Sequence, residues 1–379
     1  MITTLIADTL FDGKQLHIQR PVSFEDGRII AMDTVRNAKE YQLDGLLTAG
    51  FIDTQVNGGG GKLFNQTPEL NTLITMVKAH AQFGTTSMLP TLITDEIGKI
   101  EQAADAVSLA IREKTSGIIG IHFEGPHIST AKKGIHHQDK IRPLTSQEMD
   151  QYCRDDLGVK LITLAPESVD SSTIKTLVEH QVIVSLGHSN ASFDQVNLAL
   201  KAGASGFTHL FNAMSPIESR APNMVGAALL DPDSWCGLIL DGHHIHPASA
   251  RLAYQAKNEG KIILVTDAMS TIGSPQTQFY FDGHDIELKH NKLTSKTGSL
   301  AGSALTMITA VNNAIAMLHA PASQALNMAS AYPAEFLGLN EQKGSIKIGN
   351  IADLILLNDS PSTTPIHIKD VWIAGSQVF

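Results

Sequence analysis

Along the chain, short apolar runs alternate with longer stretches whose apolar residues recur every three or four positions. This is the texture of strands separated by helices. Eight runs stand out, at 48–56, 85–93, 117–124, 159–165, 182–188, 206–211, 235–241 and 261–267. Several, such as Ile262-Ile263-Leu264-Val265, are apolar at consecutive positions, which predicts strands buried on both faces in a parallel sheet. Helices are predicted between them, for example over 68–83 and 95–113. A further helix opens at Ser192-Phe193-Asp194-Gln195, an N-cap with an acidic first turn, and stops at Gly203. Eight strand–helix units fit an α/β fold, a (β/α)8 TIM-like barrel of typically ~250 residues. A doubly wound open sheet is the alternative, but no G-x-G-x-x-G turn follows the first strand.

The two ends read differently. The first 45 or so residues carry period-two segments and turn signals, Phe11-Asp12-Gly13-Lys14 and Phe24-Glu25-Asp26-Gly27-Arg28. Similar segments return at 344–349, 352–357 and 371–375. Neither piece can bury a good core alone. The expectation is one small β-sandwich domain built from residues 1–47 together with 341–379, beside a barrel spanning 48–340.

Composition narrows the class. A chain of 379 residues at 42% hydrophobic and 17% charged has ordinary globular composition. No run approaches the ~18 apolar residues of a membrane span, and the amino end lacks a basic start and cleavage site. A formal net charge of −10 argues against a nucleic-acid surface, though a pocket could still grip a small anion with local positive groups. Cys153 and Cys236 cannot make a disulfide framework, which points to a reducing cytoplasm.

Chemistry concentrates at the strand ends, where a barrel of this kind places its functional groups. Glu124 ends the third run, in Ile121-His122-Phe123-Glu124-Gly125-Pro126-His127. His188 ends the fifth, His209 lies in the sixth, and Asp267 ends the eighth. A lone histidine is more often a hydrogen-bonded structural residue, and an Asp after a strand often caps a helix. Four such groups at four strand ends reverse the odds. Two imidazoles and a carboxylate make a common catalytic zinc shell with a position open to water. Asp267 then reads as the acid/base outside that shell.

These residues resemble those of the N-acetylglucosamine-6-phosphate deacetylases, within the amidohydrolase superfamily. The likeness is carried by His122-Phe123-Glu124-Gly125-Pro126, Gly187-His188-Ser189-Asn190-Ala191, Thr208-His209-Leu210-Phe211-Asn212-Ala213-Met214, Asp241-Gly242-His243-His244 and Val265-Thr266-Asp267-Ala268. It extends to Ala49-Gly50-Phe51-Ile52-Asp53 and to residues 299–307, in order through nearly the whole chain. The resemblance implies Glu124, His188 and His209 as ligands of one divalent metal per subunit. Zinc is the first choice, with iron, nickel and cobalt as alternatives. It implies Asp267 as acid/base and His136 as the group that polarises the acetyl carbonyl. It further implies substrate contacts at Ile135, His136, Asn212, Ala213, Leu300, Ala301 and Gly302. Arg220 and His244 match a phosphate grip whose arginine often comes from a neighbouring subunit, so a homo-oligomer (dimer or tetramer) is expected.

Many amidohydrolases carry His-x-His at the end of the first barrel strand and hold two metals. Here that place reads Gln55-Val56-Asn57, followed by Gly58-Gly59-Gly60-Gly61, so a second ion should be weak or absent. The glycines lack the Lys-Ser/Thr of a phosphate loop and read as a permissive turn at the pocket rim. His122, inside its apolar run, reads as a core or supporting histidine, and His127 as a pocket-loop residue. The expected activity is removal of the acetyl group from N-acetyl-D-glucosamine 6-phosphate in amino-sugar catabolism. The galacto epimer, another amidohydrolase reaction such as cyclic amide hydrolysis or deamination, and a non-catalytic metal-binding scaffold are the rivals.

Overall fold

Eight parallel strands pair in chain order and close on themselves. They are β1 (Phe51–Val56), β2 (Thr85–Ile93), β3 (Gly120–Glu124), β4 (Val159–Leu164), β5 (Val182–Leu186), β6 (Gly206–Phe207), β7 (Trp235–Leu238) and β8 (Ile262–Leu264). The computed structural model that defines them describes residues 1–358 and 365–379. Closure runs through the segments just past the last and first strands. Val56 bridges Ala268, the Asp267 N–H donates to the Gln55 carbonyl at 3.0 Å, and the Asn57 N–H donates to that of Ala268 at 2.9 Å. The sheet is therefore a barrel, and the open doubly wound alternative falls.

Sequence pattern explains the layers. All nine residues of β2 are buried, as a strand covered on both faces requires. The helix Ile97–Arg112 buries Ile100, Ala103, Ala104, Val107 and Ala110, one face at three- and four-residue spacing, against the sheet. The helix Phe193–Lys201 starts where predicted: the Ser192 hydroxyl accepts from the Gln195 N–H, and the Gln195 side chain accepts from the Ser192 N–H.

The run at 48–56 proves to be two strands. Thr48 and Ala49 finish Lys39–Ala49 of a separate sheet, and the chain crosses to β1 at Gly50. A Cβ there would lie 2.2 Å from the Thr86 Oγ1, so only glycine lets the two sheets meet so closely.

That separate sheet is made from both chain ends. Thr3–Phe11 pairs parallel with Lys39–Ala49 and antiparallel with Pro21–Glu25. Leu354–Leu357 then adds to Lys39–Ala49 in antiparallel register, Leu356 opposite Leu47, and Ile368–Ile373 pairs beyond it. The edge strand Arg28–Ala31 curls back onto the carboxyl-terminal segment, the Ile29 N–H reaching the Asn350 carbonyl at 2.9 Å. Leu5, Leu10, Val22, Phe24, Leu47, Leu354 and Trp372 form its own apolar core. Asp353 joins this sheet to the barrel through Lys343 and the Ser87 hydroxyl.

One element escaped the sequence reading. After β8 the chain forms an antiparallel sheet of Gln278–Phe281, His284–Lys289 and Lys292–Ser295. Its Phe281, Ile286 and Leu293 make a third small core with Leu63, Ile93, Met269 and Ala301.

Candidate active site

Glu124 is the last residue of β3, and burial of the whole strand carries its carboxylate to the carboxyl end of the barrel. The other groups stand beyond their strands, because β5, β6 and β8 stop at Leu186, Phe207 and Leu264. This corrects the longer strands expected at 182–188, 206–211 and 261–267. His188, His209 and Asp267 sit instead on left-handed turns, with φ of 47°, 35° and 51°. Such backbone costs a non-glycine residue energy and persists where the surroundings over-determine it.

The three expected ligands converge. The Nε2 atoms of His188 and His209 are 3.0 Å apart, and they lie 3.4 and 3.0 Å from the same Glu124 oxygen. Among the described residues this is the one cluster of three such donors that could hold an ion. Ligands of a tetrahedral ion with bonds of ~2.0–2.1 Å are separated by roughly 3.3 Å, so the spacing fits a small divalent cation. His188 donates from Nδ1 to the Lys132 carbonyl at 2.9 Å, which leaves the Nε2 lone pair free for the cluster. Burial raises the Glu124 carboxyl, but the hydrogen bonds from His188 and His209 outweigh it and hold the group well below the usual carboxylate range.

Asp267 lies beside this cluster. Its Oδ1 accepts from the Asn57 Nδ2 at 2.6 Å and from the Gln55 Nε2 at 3.2 Å, and the same Gln55 nitrogen donates to Glu124 at 3.0 Å. In the protein chain alone, burial and then the Glu124 charge push the Asp267 carboxyl up to about 6. A cation in the cluster would pull it down again.

A cavity of ≈ 290 Å³ opens over these groups. His136 enters it from the loop after β3, its Nδ1 2.7 Å from the Thr94 hydroxyl and its ring 4.3 Å from that of His188. Burial and the neighbouring His188 hold His136 well below the ordinary histidine range, hence neutral. Ile135, Asn212, Ala213, Leu300 and Gly302 also line the cavity. Ala301, between the last two, is turned away into the small core beneath the three-stranded sheet. Gly302 has φ of 58°, and a Cβ would meet the Asp267 carbonyl at 2.9 Å, so glycine lets this segment press against the acid/base candidate.

His244 also lines the cavity, its Nδ1 2.6 Å from the Asp241 carboxylate. Burial raises Asp241, but His244 and two backbone N–H groups hold it below its ordinary value. Arg220 is not brought in: within one chain it is exposed and outside the cavity wall.

His122 lies in the barrel interior, its Nε2 2.7 Å from the Thr163 hydroxyl. His127 is not a pocket residue. It is fully buried, bonded to the Arg142 carbonyl at 3.0 Å and to the Tyr152 hydroxyl at 3.1 Å, and so braces the loop that carries His136. The glycine run forms a two-residue ladder, Gly58–Gly59 against Lys62–Leu63.

Sequence reasoning missed Thr94 and Asp241, and treated Gln55 and Asn57 only as poor ligands. The signal was there: Gln55 and Asn57 are two apart at the end of β1, so their side chains share a face, and that face is the one Asp267 meets.

The profile of the Amidohydrolase family matches residues 46–378. A Shewanella sp. (strain ANA-3) relative, an N-acetylgalactosamine-6-phosphate deacetylase, is 49% identical over 365 residues, 94% of this chain and 91% of the relative. The N-acetylglucosamine-6-phosphate deacetylase of Haemophilus influenzae is 34% identical, over 86% of each chain. The crystal structure of N-acetylglucosamine-6-phosphate deacetylase from Pasteurella multocida superposes with a TM-score of 0.94 at 34% identity, covering 100% of this chain and 99% of the other. The chain thus belongs to the amidohydrolase family, alongside its amino-sugar 6-phosphate deacetylases.

Proposed function

We propose that the protein hydrolyses the acetamide of N-acetyl-D-glucosamine 6-phosphate to D-glucosamine 6-phosphate and acetate. The observation that carries this is the convergence of Glu124, His188 and His209 within 3.4 Å of one another beside a half-buried Asp267. Those three would hold one divalent ion, with zinc the best match to a His2Glu donor set. When bound, the ion supplies Lewis acidity and lowers the pKa of a water in the site.

The chain's own residues supply the rest. Asp267 takes the proton of the attacking water and delivers it to the departing nitrogen. With its Nδ1 paired to the Thr94 hydroxyl 2.7 Å away, His136 presents Nε2 to the acetyl oxygen and, in the tautomer protonated there, donates to it as charge develops. Ile135, Asn212, Ala213 and the 300–302 segment shape the sugar site, Ala301 through its backbone. His244, backed by the Asp241 carboxylate, suits a phosphate oxygen. Arg220 of a second copy completes the grip in a homo-oligomer, consistent with its exposure on the single chain. The domains divide as residues 1–49 with 341–379 and 50–340, two residues later than the boundary expected from the sequence because Thr48 and Ala49 pair in the end-built sheet; of these, 359–364 lie outside the described residues. With two unpaired cysteines and, among the described residues, no helix long and apolar enough to cross a membrane, we place the enzyme in the cytoplasm.

The galacto epimer is the second reading, favoured by the 49% identity to a galactosamine-type deacetylase. The two substrates differ only at C4. Acetate release from both epimers, with metal measured on the same sample, tests the proposal. We expect turnover with about one ion per chain and the higher kcat/KM on the gluco substrate. A higher value on the galacto sugar transfers the assignment, and no release from either sugar by metal-loaded protein rejects the reaction.

A further inference from the structure

We propose that Glu167, in the loop after β4, is a positioning residue: its carboxylate holds the turn that follows His188 and so sets how tightly the ligand cluster takes up its ion. This rests on the reading of Glu124, His188 and His209 as metal ligands given above.

The left-handed backbone at His188, φ 47°, keeps its place only if the residues on either side are fixed. On one side the His188 carbonyl accepts from the Ser129 N–H at 2.8 Å. On the other side stands Glu167. One of its carboxylate oxygens accepts from the Ser189 hydroxyl at 2.6 Å and the other from the Asn190 N–H at 2.6 Å. The Ser189 hydroxyl in turn accepts from the Ala191 N–H at 3.0 Å. One carboxylate thus grips the three residues after His188 through short, charge-assisted hydrogen bonds.

The grip extends to a second loop. Ser189 is fully buried; its N–H donates to the Ala213 carbonyl at 3.0 Å, and its carbonyl accepts from the Ser215 N–H at 3.0 Å. Ala213 is itself left-handed, φ 50°, and lines the cavity. Ser215 carries the constraint onward. Its hydroxyl donates to the Ala191 carbonyl at 2.6 Å and accepts from the Met224 N–H at 3.0 Å, in the first turn of the helix Asn223–Leu230. Glu167 is exposed and outside the cavity wall, so its replacement opens no hole in the core. Two routes then connect it to the cluster, the tie through Ser189 and its bare negative charge.

Zinc affinity, read by competition with a chromogenic chelator, separates the two routes. Glu167→Ala removes tie and charge, Glu167→Gln removes the charge but keeps an acceptor, and Ser189→Ala cuts the tie with the charge in place. We expect the zinc Kd to rise about 10- to 100-fold in Glu167→Ala and at least about threefold in Ser189→Ala. Glu167→Gln should lie nearer wild type, and the double variant should bind no more weakly than Glu167→Ala. At saturating zinc, Glu167→Ala should keep kcat within about threefold and raise KM about two- to tenfold, through the Ala213 loop. Unchanged zinc affinity in both alanine variants, with only a lower Tm, would make Glu167 a structural brace and overturn the proposal. A loss in Glu167→Gln as large as in Glu167→Ala, with Ser189→Ala at the wild-type value, would overturn it too, by assigning the effect to charge. Wild-type protein that takes up no zinc rejects the ligand reading instead, and zinc-loaded wild type that releases no acetate rejects only the deacetylase reaction.

Discussion

At Asp267 a left-handed backbone, φ 51°, and two amide donors fix a half-buried carboxyl group at the rim of the ligand cluster. An acid/base is useful only if its free oxygen faces the reacting atoms, and here Oδ1 is already engaged by Asn57 and Gln55. Asp267→Asn preserves shape while removing the proton carrier. We expect it to retain the metal and to lose about 10²- to 10⁴-fold in kcat. Near-native turnover in that variant would rule out the acid/base role. The sign of the pH dependence follows from the same group. As a base, Asp267 must be ionised, so kcat/KM should fall as pH drops through its pKa. That pKa is about 6 in the chain alone, and a bound cation moves it lower. The acid limb of a pH profile should therefore lie at or below about pH 6.

Between elements, two polar contacts do what apolar packing cannot: they fix register and place loops. Asp53 in β1 accepts from the Thr266 hydroxyl at 2.5 Å across the β1–β8 seam, and burial pushes its carboxyl up to about 7. The pin sits next to Asp267, so closure of the barrel and placement of that carboxyl group are one structural event. Above the barrel, Lys140 donates to Asp95 at 2.8 Å and to Asp282 at 3.3 Å. It thereby ties the loop bearing Ile135 and His136 to the turn of the three-stranded sheet that precedes Leu300 and Gly302. All three side chains are less than a quarter exposed. Loss of a partly screened pair is worth roughly 0.5–1.5 kcal/mol, so Lys140→Met should raise KM about two- to tenfold. Metal content should stay the same, and Lys140→Arg should restore much of the affinity. An unchanged KM would mean the two roof segments hold their places without this tie.

Across the described residues the buried apolar side chains gather into three cores, in the barrel, in the end-built sheet and beneath the three-stranded sheet. The barrel core is much the largest, and it does not depend on the ligand cluster for its packing. In the chain alone the Glu124 charge is also offset in part by His209, whose Nε2 lies 3.0 Å from the same carboxylate. Chelation should therefore leave a folded protein with an unchanged far-ultraviolet spectrum. The ion binds the native state alone, so its removal should lower Tm by several degrees, recovered on adding zinc; a stabilisation of ~2.7 kcal/mol corresponds to an ion at a hundred times its Kd. Unfolding on chelation would instead make the metal a structural requirement.

The linear order of apolar runs was enough to specify the barrel. Strands buried on both faces must be apolar throughout, and that demand is local to each segment. The same holds for the ends of the chain, where two pieces too short to fold alone needed each other. Glu124, His188, His209 and Asp267 were legible because strand ends are where such a barrel displays chemistry. Tertiary structure alone decided the rest. It stopped β5, β6 and β8 short of His188, His209 and Asp267, because left-handed turns at these residues are stable only when neighbours hold them. It drew His127 out of the pocket and into a brace, and turned Ala301 into the small core. It also gave Gln55 and Asn57 their meaning, since an amide becomes a partner of Asp267 only when β1 and β8 lie side by side. Their positions are 210 and 212 residues away from Asp267 in sequence, and only closure of the barrel puts them in contact.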